Sequence, residues 1–146
     1  MNLNFPAYQF RIRQADLVKE IFDEVRKRWV TLTPEEWVRQ NVVRWLQEEK
    51  KYAASLMAVE KQIKVNGLVR RCDVVCYDPN AEPLLIVECK APDVKITQDV
   101  FDQAARYNSV IAAKYFLLTN GIQHFCCELD VVSYQWKFLK ELPIYK

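Results

Sequence analysis

Val18, Ile21, Phe22, Val25 and Trp29 recur at the three-to-four-residue spacing of one helical face, with Lys19, Glu20, Glu24 and the run Arg26-Lys27-Arg28 between them. The spacing predicts an amphipathic helix over 16–29. Residues 8–13 alternate apolar and polar and predict a short edge strand before it. A second helix start follows at Thr33-Pro34-Glu35-Glu36, with a threonine cap, proline at the first helical position and glutamate three after the cap. Val38, Val42, Trp45 and Leu46 mark its inner face, and it is expected to run to about residue 51.

Beyond that helix the period changes to two. Residues 56–65 and 68–77 alternate on either side of Asn66-Gly67, a pair suited to a two-residue hairpin turn with positive φ at both positions. Asp78-Pro79-Asn80 makes the next turn, and 84–90 forms a third strand that Pro92 ends. Thr97 can cap a helix over 98–112 whose stripe is Val100, Ala104, Tyr107 and Ile111. Residues 114–119 and 122–129 flank a second turn at Asn120-Gly121, and Val132, Tyr134, Trp136 and Phe138 alternate in a last strand. The order predicts an α/β fold, a central mixed β-sheet flanked by helices, with an extra N-terminal helix.

Composition narrows the function classes. With 146 residues, half of them apolar, and only two glycines, the chain reads as a single domain over 1–146 without a flexible linker. A formal charge of +2 leaves a nucleic-acid partner open. Arg26-Lys27-Arg28 fits either a phosphate contact or a solvated face. No apolar run approaches the roughly 20 residues of a membrane span, and Met1-Asn2-Leu3-Asn4 does not begin a signal peptide, so a cytoplasmic protein without membrane contact is expected. The five cysteines are odd in number, lie in expected strands and lack C-x-x-C spacing, which argues against zinc and disulfides. The single histidine, His124, argues against Ser-His, Cys-His and multi-histidine metal chemistry.

Charged residues inside two of the apolar strands carry the candidate chemistry. Strict alternation puts Arg71, Asp73 and Val75 on one face of the 68–77 strand and Cys72, Val74 and Cys76 on the other. In the next strand Glu88 and Lys90 share a face, roughly 7 Å apart, and hairpin pairing sets Asp73 opposite Glu88. Two carboxylates and the backbone carbonyl of Cys89 form an oxygen-rich site suited to Mg²⁺, with Mn²⁺ as a substitute. Lys90 would then orient a bound water or stabilise charge on a phosphate, a combination that fits phosphodiester hydrolysis. The same three side chains also fit an ordinary ion-pair network at the end of a sheet. Gln103 and Tyr107, one turn apart on the apolar stripe of the following helix, bring an amide and a phenol towards the same place, or form a hydrogen-bonded pair at the core margin. Glu60 either borders the metal site or is a surface charge.

Asp73, Glu88-Cys89-Lys90 and the segment from Gln103 to Tyr107 resemble the D…E-x-K and Q-x-x-x-Y motifs of the PD-(D/E)xK nuclease superfamily. More narrowly, TPEEWVRQ at 33–40, VEKQI at 59–63, RRCDVVCYD at 70–78, LLIVECKAP at 84–92 and LTNG at 118–121 resemble the N-terminal nuclease domain of type I restriction enzyme R subunits. The resemblance implies a restriction-endonuclease-like core over 33–130, preceded by a helical extension over 1–32 and followed by a strand and tail over 131–146. In it Asp73 and Glu88 hold Mg²⁺, Lys90 assists catalysis, and Gln103 and Tyr107 support the site. It also implies a glutamate from the first core helix, a place Glu36 occupies, although a capping box would use the same carboxylate. DNA is the implied substrate, with other restriction subunits or a helicase as partners. No G-x-x-x-x-G-K-[ST] occurs in these residues, so they carry no ATP-driven motor. Cutting both strands of a duplex needs two sites or two nicks, which fits a homodimer. The competing readings are a nuclease-like module that docks DNA or a restriction complex without cutting, and a structural α/β domain with buried ion pairs.

Overall fold

The chain begins with a small antiparallel meander, β1 (Ile12–Ala15), β2 (Val18–Asp23) and β3 (Arg28–Thr31). The structure, a computed structural model, describes residues 2–146. α1 (Pro34–Glu48) follows, then β4 (Met57–Val65), β5 (Leu68–Tyr77) and β6 (Pro83–Cys89), α2 (Gln98–Ser109), and β7 (Tyr115–Thr119), β8 (His124–Asp130) and β9 (Gln135–Leu139). The last six strands form one sheet in sequence order, antiparallel except where β6 pairs parallel with β7 across the α2 crossover. Two faces of this mixed sheet are covered. Val38, Val42 and Leu46 of α1 meet Val74, Leu85, Val87 and Leu117, while Phe101, Ala104 and Ala105 of α2 meet Val75, Ile86, Phe116 and Leu118.

Local chemistry accounts for the element ends. The Thr33 hydroxyl accepts the Glu36 amide at 3.0 Å with Pro34 opening the helix, and Thr97 caps α2 in the same way through Val100. Asn66 and Gly67 both have positive φ, 50° and 81°, as the tight β4–β5 hairpin demands. Asp78 closes the β5–β6 turn by accepting the amides of Asn80 and Glu82.

Two expectations are overturned. The residues expected to form a helix over 16–29 instead build β2 and β3, so there is no N-terminal helix in this segment. The apolar spacing suits both forms: Phe22 and Trp29 are cross-strand partners with ring centroids 5.4 Å apart, roofed by Arg11 and Arg13, while Ile21 on the opposite face is fully buried. Two turns decide against the helix. Asp16 and Lys27 have φ of 53° and 57°, and Asp23 accepts the amides of Val25 and Arg26 at 2.8 Å, which ends β2.

The second correction concerns faces. Val74 and Cys76 lie on the α1 side, but Cys72 lies with Val75 on the α2 side, so strict alternation fails at Asp73. The partner strand flips at the same level, since Val59 faces α1 and Ile63 faces α2. The ladder pairs Val59 with Val74 and Lys61 with Cys72, and between them Glu60 adopts a φ of 54°. The irregularity rotates Asp73 out of the alternation and towards the gap between the two helix layers.

The Thr119-Asn120-Gly121 turn ties the N-terminal segment to α1. Asn4 donates to the Gly121 carbonyl at 2.7 Å, and Gly121 has φ +87°. A Cβ there would lie 2.8 Å from Leu3 and 3.1 Å from Val38. Gly121→Ala is therefore expected to cost about 1–3 kcal/mol, read as a lower urea midpoint with an unchanged slope. An unaltered midpoint would show that Leu3 and the turn relax freely.

Candidate active site

Asp73, Glu88 and Lys90 come together because β5 and β6 pair in register from Val74↔Val87 onward, which sets Asp73 level with Glu88. They line one cavity of about 480 Å³, together with Glu35 of α1, Arg71 and Cys89 of the sheet, and Gln103 and Tyr107 of α2. Asp73 is held through both oxygens: Oδ2 accepts the Cys89 amide at 2.8 Å, and Oδ1 accepts Arg39 Nη2 at 2.9 Å. Glu88 is held likewise, with Oε2 3.0 Å from Lys90 Nζ and Oε1 accepting Asn108 Nδ2 at 3.0 Å. The Lys90 backbone amide donates to the Thr119 carbonyl, so β7 fixes the lysine's starting point.

The α2 residues occupy two levels. Gln103 is exposed at the cavity wall. The Tyr107 hydroxyl accepts the Arg71 amide at 3.1 Å, and the Arg70 guanidinium lies 4.5 Å from its ring, so Tyr107 clamps α2 to β5. Gln103 and Tyr107 thus reach the same cavity without a hydrogen bond to each other.

Glu36 and Glu60 lie in a charge network behind the cavity. Glu36 is 5% exposed, and its carboxylate accepts a two-pronged contact from Arg26 Nη2, a 2.6 Å bond from Arg39 Nη1 and one from Gln40. Its capping role is confined to the backbone, where its amide meets Thr33. Glu60 bonds Arg71 at 2.7 Å and lies 3.2 Å from Arg39. Burial alone would raise the Glu60 carboxyl, but Arg71, Arg39 and Arg26 bring it below its ordinary range. Arg39, 4% exposed, is the hub, since it contacts Glu35, Glu36, Glu60 and Asp73.

Sequence reasoning missed Arg39, Asn108 and Glu35. Arg39 was detectable as a cation three and four residues after Glu36 and Glu35, the spacing of paired charges on a helix. Asn108 falls four after Ala104 on the apolar stripe and is buried, with Nδ2 shared between the Ala104 carbonyl and Glu88. Glu35 faces the cavity, and burial followed by the neighbouring Asp73 charge pushes its carboxyl up against the opposing pull of Arg39 and Lys90.

Asp73, Glu88 and the Cys89 carbonyl are hard oxygen donors of the kind that hold a divalent cation keeping several of its waters. Among the described residues no group of three or more His, Cys, Asp or Glu side chains is gathered as a metal cage. No described helix is long and apolar enough to cross a membrane. A family model, the type I restriction enzyme R protein N terminus, matches residues 34–143. The chain belongs to this family. A search of curated proteins returns no match. Membership ties the chain to the R subunit of a restriction system and to a nuclease-related role, with DNA and other restriction-system subunits as implied partners. The match opens at the first residue of α1, so β1–β3 lie outside it even though Asp23 and Arg26 enter the site's charge network.

Two outcomes test this network. Arg39→Ala leaves Glu36 and Asp73 facing each other without their shared cation and is expected to cost about 3–5 kcal/mol in chemical denaturation; a loss under about 1 kcal/mol would reduce Arg39 to a surface-type pair. For Asp23, burial pushes the carboxyl up, but hydrogen bonds from the Arg26 amide and guanidinium, its charge and the Val25 amide bring it below its ordinary value. A depressed folded pKa contributes stability that is fully present above about pH 4 and is lost as pH falls through the folded value. Asp23→Asn should therefore flatten the acid limb of the stability curve below that pH, and parallel limbs would remove Asp23 from the account.

Proposed function

We propose that this chain is a Mg²⁺-dependent endodeoxyribonuclease domain that hydrolyses DNA phosphodiester bonds. The observation that carries the reading is the meeting of Asp73 and Glu88 on neighbouring strands at one cavity, with Lys90 Nζ 3.0 Å from Glu88. The donor set fits Mg²⁺, and Mn²⁺ as a substitute: Asp73, Glu88 and the Cys89 carbonyl would hold it, leaving positions for waters and a phosphate oxygen. Such an ion supplies Lewis-acid polarisation of the phosphoryl group and a more acidic bound water.

The side chains do the rest of the work. Asn108 fixes one oxygen of Glu88, and the Cys89 amide fixes one of Asp73, so each carboxylate keeps its orientation while its other oxygen meets a cation, Lys90 for Glu88 and Arg39 for Asp73. Lys90 presents an ammonium beside Glu88, where it stabilises charge growing on the phosphate or orients the attacking water. Gln103 offers an amide to a phosphate oxygen at the cavity wall. Glu35, rather than the fully engaged Glu36, is the carboxylate that α1 presents to the cavity.

One observation favours a second reading, a docking module that binds DNA or a restriction complex without cutting. Each of the two central carboxylates already carries a protein cation, Arg39 on Asp73 and Lys90 on Glu88. Plasmid nicking separates the two. With Mg²⁺ or Mn²⁺ the wild type is expected to nick, and Glu88→Ala and Lys90→Ala are each expected to lose about 10²-fold or more. Equal nicking by all three proteins would point to a contaminant and defeat the assignment. Salt-sensitive binding without cleavage under either metal would favour the module.

A further inference from the structure

The β4–β5 hairpin outruns the sheet. β5 is joined to β6 only through Val74 to Tyr77, so 61–65 and 68–72 form a two-stranded ribbon beyond the last β6 pair. Residues 61–71 read KQIKVNGLVRR, four cations and no acid, in a chain whose overall charge is only +2. The register sorts these cations onto both faces. Lys61 opposes Cys72 and Arg70 opposes Ile63, on the side of α2. Arg71 opposes Gln62, with Lys64 two residues along on the same, opposite side. Leu68 and Val69 at the tip are 48% and 52% exposed.

We propose that this ribbon is a duplex-DNA-binding arm that lies in a groove and feeds the backbone to the cavity. The inference rests on the nuclease-related reading for its substrate but uses different residues. Three features select a duplex. A two-stranded ribbon fits the major groove, about 12 Å wide, and the exposed Lys61 on one face and Lys64 and Arg71 on the other are placed to meet phosphates of the two flanking strands, while Arg70 is held against Tyr107. The arm contains no aromatic residue, and the Tyr107 ring that meets it is covered by Arg70, so the arm offers no stacking platform of the sort that grips single strands. The arm is also continuous with the catalytic cavity: Arg71 lines it and pairs with Glu60, while Arg70 bonds the Tyr107 carbonyl at 3.0 Å. Thus a backbone held along Lys64 and Arg71 runs directly towards Asp73 and Lys90.

The test is binding of the full chain to a fluorescent 25-base-pair duplex in EDTA, where no cleavage intrudes, across a salt series. Lys61→Ala/Lys64→Ala is compared with Lys137→Ala/Lys140→Ala, which removes the same charge from exposed positions on and beside β9. The arm variant is expected to bind about 10-fold or more weakly near 0.1 M salt, with the slope of log K against log salt smaller in magnitude by about 2. The β9 variant should keep the wild-type slope, and Lys61→Arg/Lys64→Arg should restore it. A single strand of the same sequence should compete at least 10-fold less well than the duplex. Wild-type slope in the arm variant, an equal fall in the β9 variant, single-strand competition equal to duplex, or no wild-type binding at 50 mM salt would each overturn the proposal. Because metal is absent, loss of nicking with intact arm-dependent binding defeats only the nuclease reading, and nicking with arm-independent binding defeats only the arm.

Discussion

The site depends on one buried cation. Arg39 stands between α1 and the sheet and touches four carboxylates, two from its own helix and one each from β4 and β5. A guanidinium removed from water is tolerable only when its donors are met, and a carboxylate beside Leu- and Val-lined strands is tolerable only when a cation faces it. Both terminal nitrogens of Arg39 meet carboxylates, whereas its buried Nε has no hydrogen-bond partner among the described residues, so the carboxylates' need is met in full and the guanidinium's in part. Arg39 therefore fixes the separation of α1 from β5 and the rotamer of Asp73 at once, and the meander reinforces it from behind, where Asp23 orients Arg26 and Arg26 grips Glu36 with one guanidinium nitrogen.

The backbone break at Glu60 and Asp73 is the second constraint. A regular strand would send the Asp73 side chain onto the face of Val75, under α2, where it would be enclosed by Phe101, Ala104 and their neighbours. The irregular pair instead places it at the seam between layers, reachable from the cavity and from Arg39 alike. A non-glycine residue with positive φ is unfavourable, and at Glu60 the cost is offset by its contacts to Arg71 and Arg39. Strain, charge pairing and the exposure of Asp73 are thus one arrangement. Unlike an interior ion pair closed off from solvent, it leaves Asp73, Glu88 and Lys90 on a cavity wall.

From residue 33 to β8 the fold was largely legible because local chemistry and pattern agree: a threonine cap, proline at the first helical position, the Asn66-Gly67 turn and period-two strands each admit few alternatives, whereas Asn120-Gly121 opens a four-residue loop and β9 begins at Gln135, leaving Val132 and Tyr134 in the turn before it. The segment before residue 33 was not, since Val18, Ile21, Phe22, Val25 and Trp29 satisfy a helical stripe as well as they satisfy cross-strand pairs, and the deciding interactions are the Asp23 turn and the Arg11 and Arg13 contacts. Asp73, Glu88, Lys90, Gln103 and Tyr107 could be named from spacing and resemblance, and they do line one cavity. Arg39 and Asn108 could not be placed from pattern alone, because their partners lie 34 and 20 residues away and only the packed helices bring them within reach. Strict alternation also misled, because a bend in a ladder leaves no mark in residue type.

The charge balance of the assembled site bears on the metal. Asp23, Glu35, Glu36, Glu60, Asp73 and Glu88 face Arg26, Arg39, Arg71 and Lys90, six formal negative charges against four positive. An excess of two negative charges in a partly dehydrated cluster is unfavourable by itself, and the Glu35 carboxyl, pushed up by burial first and by the Asp73 charge second, feels both. One divalent cation at Asp73 and Glu88 would cancel it. Arg39 would still have Glu35, Glu36 and Glu60 as partners without Asp73, and Lys90 without Glu88 would be a free ammonium at the cavity wall. On the proposed nuclease reading, Arg39 and Lys90 would hold the two like charges side by side in the place that a divalent ion would take.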